Sequence, residues 1–183
     1  INFPAGELRA PYYDSKNDRV VNLGETGAII GHEITHAIDS NGAQYDAEGR
    51  LRNWWTPKDY AEFKDRQAKV IALYSSYQLP DGTKINGAIA LTENIADLGA
   101  VSCLTEVVGK DPAVLRQFYR SYAESWQLLL RKEMLKKYLV DVHALPYLRV
   151  NAVLSSTQSF YDAFGVKPGD GMYIAPEERA NIW

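Results

Sequence analysis

A mainly α domain with a small β region, an α+β arrangement, is predicted by three observations. Apolar residues recur at helical spacing, as in Ile30, Ile34, Ala37 and Ile38. Three helix-opening signals are present: Thr56-Pro57, Thr92 and Asp111-Pro112. Turn-punctuated extended sequence is concentrated toward the N-terminus. With 183 residues and 46% hydrophobic content, the chain can bury the core of one domain, 1–183.

Residues 1–23 read as extended or irregular, broken by Pro4, Gly6 and Pro11. A first helix follows from about Gly24 to Ser40 and is stopped by Asn41-Gly42. Asp46-Ala47-Glu48-Gly49-Arg50 reads as a turn between two short extended pieces. Thr56 caps a second helix, with Pro57 at its first position, and this helix fades near Pro80-Asp81-Gly82. Thr92 caps a third, from Glu93 to about Val108, and Asp111 caps a fourth that reaches about Lys137. Residues 140–151 are interrupted by Pro146, Ser155 to Phe164 form a short helix ended by Gly165, and the tail is irregular.

Composition excludes several classes. The net charge is −3 and the charges are well mixed, with no basic block to suit nucleic acid. No apolar run approaches a membrane span, and the N-terminus lacks a signal-peptide layout. The opening Ile1-Asn2-Phe3-Pro4 has no initiator Met, so the chain is expected to be the C-terminal part of something larger. A single cysteine excludes an internal disulfide, and apolar neighbours suggest that Cys103 is a small core residue.

The chemistry centres on Gly31-His32-Glu33-Ile34-Thr35-His36. Residues four apart on a helix share a face, so His32 and His36 can direct two imidazoles at one ion. Glu33 projects to the side, within reach of a metal-bound water. A catalytic zinc needs a third protein ligand and one position left for water. The longer pattern with a third His fails, because position 39 is Asp and position 42 is Gly. In Thr92-Glu93-Asn94-Ile95-Ala96-Asp97, two carboxylates lie four apart at a helix start. One can bind the ion while the other accepts an imidazole N–H. Taken alone, both read equally well as acids favoured by the helix dipole.

These two stretches, the second extended through Leu98-Gly99, resemble the zinc site of the neprilysin family of metalloendopeptidases. The likeness continues through Phe3-Pro4-Ala5-Gly6, Asn53-Trp54-Trp55-Thr56, Phe160-Tyr161-Asp162-Ala163-Phe164-Gly165 and Trp183, covering nearly the whole chain. It implies a zincin-type catalytic domain holding one zinc ion through His32, His36 and Glu93. Glu33 would be the general base, using a zinc-activated water, and Asp97 would support a ligating ring.

The resemblance also assigns His143 to the transition state and Arg149 to substrate binding, within Asp141-Val142-His143 through Asn151. From the residues alone, the first reads as a packed His and the second as a surface cation. Ile29, Tyr12 and Trp126 match an apolar pocket on the leaving-group side, which implies a bulky apolar preference in a peptide substrate. Asp39 lies on the ligand face, where orienting His36 and ending the helix are equally open roles.

The family's substrate-pairing strand and its large helical region would both lie upstream of Ile1. A catalytically incomplete zinc-binding part that needs such a segment is therefore the alternative to a self-sufficient enzyme. A closed structural zinc site is a further one, which the intervening Glu33 argues against. Missing cross-linking cysteines fit a bacterial-type member, expected to be soluble, with cytoplasm and export equally open.

Overall fold

The computed structural model describes residues 1–183. Helix α1 (Arg19–Asn22) runs through a π turn (Leu23–Gly27) into α2 (Ala28–Thr35). Helix α3 spans Pro57–Ser75, α4 Leu91–Val108 and α5 Pro112–Ser125. A short α6 (Lys132–Leu135) precedes α7 (Pro146–Ser155) and α8 (Gln158–Phe164). The β content is two isolated antiparallel bridges, Tyr45 with Leu51 and Gln78 with Lys84. No helix is long and apolar enough to cross a membrane.

Helix α4 is the central element, buried without a break from Asn94 to Val101. A helix enclosed on all sides carries few charges, which makes the buried Asp97 conspicuous. Around it pack Val70, Leu73 and Tyr74 of α3, Leu115 and Phe118 of α5, and Leu148 and Val153 of α7. Helix α2 crosses α4 at very short range. A Cβ on Gly31 would stand 3.2 Å from the Ala100 Cα, and one on Gly99 would stand 2.4 Å from Thr35 Cγ2. The missing side chains let the two backbones approach, and this brings the two halves of the predicted site together.

Several expectations are corrected. Regular α2 ends at Thr35 rather than Ser40, because His36 and Asp39 bond each other in the turn that follows. Ile34 and Ile38 are exposed. The helical path begins at Arg19, inside the stretch expected to be irregular. Thr92 does not cap α4, which starts at Leu91; its hydroxyl lies 2.8 Å from Ser40 Oγ and ties that turn to α4. Helix α5 stops at Ser125, where Trp126 turns to stack on Arg149, and does not reach Lys137.

Pro146 opens α7 instead of interrupting it, since a proline at the first helical position loses no hydrogen bond. Cys103 is exposed on α4, beyond the enclosed stretch, and is no core residue. The caps at Thr56 and Asp111 hold, each side chain accepting from a backbone N–H of its first turn. So does the stop at Gly165, which takes the left-handed conformation with φ 67°.

Candidate metal centre

Helix α2 supplies His32 and His36 from successive turns, and the first turn of α4 supplies Glu93. His32 Nε2 lies 3.0 Å from His36 Nε2 and 3.0 Å from Glu93 Oε2, and His36 Nε2 is 3.7 Å from that same oxygen. Donors bound at about 2.0–2.2 Å in a tetrahedral zinc site stand about 3.3–3.6 Å apart. The observed spacings bracket that range. Glu93 Oε2 is buried without an aligned hydrogen-bond donor, although imidazoles crowd it. Two imidazoles and a carboxylate converging on one point make a donor set suited to zinc.

Both rings are fixed from behind. Asp97 Oδ1 accepts from His32 Nδ1 at 2.7 Å, and Asp39 Oδ2 accepts from His36 Nδ1 at 2.6 Å. Each bond selects the tautomer that leaves Nε2 available for a metal. Asp39 serves both roles left open for it, because its Oδ1 also accepts from the Asn41 and Gly42 backbone N–H groups at 2.7 and 2.8 Å. Arg149 of α7 clamps Asp97 with two bonds of 2.7 Å, from Nε and Nη2, while Nη1 has no protein partner. The Tyr122 hydroxyl donates to the Arg149 carbonyl at 2.7 Å and anchors that turn of α7.

Electrostatics follow from this packing. Burial alone would lower His32, but its bonds to Asp97 and Glu93 outweigh that and raise it to about 9. Burial would likewise raise Asp97, yet the Arg149 guanidinium and His32 hold its carboxyl below the usual range. Glu93 is also held low: the neighbouring imidazoles overcome its burial.

Glu33 is half-buried and takes part in none of the side-chain hydrogen bonds or ion pairs of the centre. His143 stands at the rim, with Nε2 3.4 Å from Glu93 Oε2 and Nδ1 3.1 Å from Asp141 Oδ1. It lies outside the group of three converging donors. Tyr12, Ile29 and Trp126 line one cavity of about 380 Å³. Tyr12 is pinned there through its carbonyl, which accepts from the Thr26 backbone N–H and hydroxyl. Glu7 and Glu25 line the same cavity and were not foreseen, since a 3₁₀ turn and a π turn supply them.

A model of peptidase family M13 matches residues 1–180. The chain belongs to peptidase family M13. Neutral endopeptidase of Lactobacillus helveticus is 42% identical over all of the chain, and Neprilysin-11 of Caenorhabditis elegans 34% identical. The crystal structure of PepO from Lactobacillus rhamnosis HN001 superposes with a TM-score of 0.93 at 43% identity over 99% of the chain. The zinc metalloprotease Zmp1 of Mycobacterium tuberculosis, in complex with an inhibitor, gives 0.89 at 33% identity over 99%. The M13 chain spans 28% and 23% of those two curated relatives, and 29% and 30% of the two solved chains. The resemblance read from the motifs is therefore a family relationship.

Proposed function

We propose that this chain carries the catalytic centre of a zinc-dependent metalloendopeptidase acting on oligopeptides, with His32, His36 and Glu93 holding one zinc ion. The observation that carries the reading is the convergence of these three donors, each imidazole braced by its own buried carboxylate. When bound, zinc would supply a Lewis acid for the scissile carbonyl and lower the pKa of an attacking water.

Glu33, next to His32 in sequence and unpaired, would serve as the general base, holding a proton on its carboxylate and passing it to the leaving nitrogen. His143, doubly protonated with its Nδ1–H held by Asp141, donates from Nε2 to the oxyanion. Arg149 keeps two donors on Asp97 and offers Nη1 to a substrate carbonyl, fixing register. Asp97 orients His32, and the same carboxylate couples substrate binding to the metal side.

Replacing Glu33 with Gln should retain one zinc per chain and abolish peptide cleavage, whereas Glu93→Ala should lose the metal. Cleavage by the Gln variant would remove Glu33 from its role. A second reading is favoured by length, the relatives being more than three times longer than the chain. In it, the chain is a zinc-binding part that cuts only when an upstream helical region completes the site. Comparing the chain alone with the chain plus that region separates the two.

A further inference from the structure

The cavity lined by Tyr12, Ile29 and Trp126 is expected to be apolar, but its walls are mixed in a specific way. Ile29 stands three residues before His32 on α2, and Trp126 stacks on Arg149, whose guanidinium lies 4.0 Å from the indole ring. Through Ile29 and Trp126 the cavity adjoins the reacting centre. Leu128 and Tyr12 extend its apolar lining, while Glu7 and Glu25 bring two carboxylates and no cationic residue lines it.

Neither acid has a partner within the protein. Oxygen Oε2 of Glu25 is buried without a hydrogen bond, and no ion pair of the chain includes Glu7 or Glu25. Arg149 cannot neutralise them, because its charge is taken up by Asp97. Burial, with Glu124 nearby, pushes the Glu25 carboxyl up.

We propose that this cavity selects a basic side chain, Lys or Arg, in the residue that follows the scissile bond, with Glu25 and Glu7 as the specificity determinants. A long basic side chain suits both wall types. Its methylene stem packs on Ile29, Leu128 and Trp126 while its head reaches the unpaired carboxylates. An acidic side chain is repelled by both, so selection works through exclusion as well as attraction. The inference rests on the proposed peptidase reading for its reaction, and departs from the plain apolar preference that the resemblance implies.

The test uses the zinc-loaded full protein and peptides that differ only after the scissile bond, carrying Lys, Arg, Leu, Phe or Glu. Lys and Arg peptides should show the highest kcat/KM. Glu25→Gln and Glu7→Gln should each lower that preference about two- to fivefold, in KM more than kcat, and raised salt should lower it too. Leu or Phe peptides cut as fast as Lys peptides would overturn the inference and leave the peptidase reading intact. If no peptide is cut, the peptidase reading is what fails. Binding of Lys-Ala against Leu-Ala dipeptides to zinc-loaded Glu33→Gln protein then decides the pocket. Tighter Lys-Ala binding that is lost in Glu25→Gln supports selection; equal affinity, or no binding of either dipeptide, overturns it.

Discussion

Arg149→Met strands the Asp97 carboxylate in the most enclosed part of the molecule. Asp97 is 2% exposed, and its oxygens accept two guanidinium bonds of 2.7 Å and the His32 ring bond of 2.7 Å. Removing one member of a buried pair costs about 3–5 kcal/mol, and the His32 bond that Asp97 keeps places the loss toward the lower end. Lost stacking of the guanidinium on Trp126 adds about 0.5–2 kcal/mol. Against a domain stability of about 5–15 kcal/mol, this is a large fraction. With a urea m-value of about 2 kcal/mol/M, the unfolding midpoint of metal-free protein should fall by about 1.7–3.5 M.

Asp97→Asn should cost a similar amount by leaving Arg149 without its countercharge. The double variant removes both charges and should recover about 1–3 kcal/mol relative to the sum of the singles. Urea unfolding followed by circular dichroism measures all three. Additivity within about 0.5 kcal/mol would refute the claim that the two charges stabilise each other.

Other consequences are shorter to state. Asp39→Asn should weaken zinc binding about 10–100-fold, measured by competition with a chelator, because His36 loses its charged support. In metal-free protein the raised His32 contributes stability that is full below about pH 6.5 and is lost as pH rises through about 9. Zinc entry at neutral pH must displace that proton, so calorimetry in buffers of differing ionisation enthalpy should register its release, and a buffer-independent heat would contradict it. Gly99→Ala should lower the stability by about 1–3 kcal/mol in a thermal melt, since the new methyl meets Thr35 Cγ2 at 2.4 Å. A neutral result would mean that α2 and α4 can part without cost.

The converging donors were legible because each half of the cluster is a local pattern. His32 and His36, like Glu93 and Asp97, are paired by the repeat of a single helix, which sequence spacing fixes. What brings the halves together is not local. It depends on Gly31 lying over Ala100 and Gly99 against Thr35, contacts that no spacing reveals. Helix ends were misread for the same reason. Ser125 is followed by Trp126, whose ring stacks on Arg149 of α7, a partner distant in sequence.

The pocket acids were the least visible of all. Glu7 comes from a 3₁₀ turn and Glu25 from a π turn, and neither element leaves a period in the sequence. In this chain helical periodicity predicts the residues proposed to hold the metal, whereas the residues proposed to choose the substrate sit where that periodicity breaks. The π turn before α2 carries Glu25, which lines the cavity. On the proposed reading, positions 7 and 25 set the substrate preference and lie on elements separate from the proposed metal ligands.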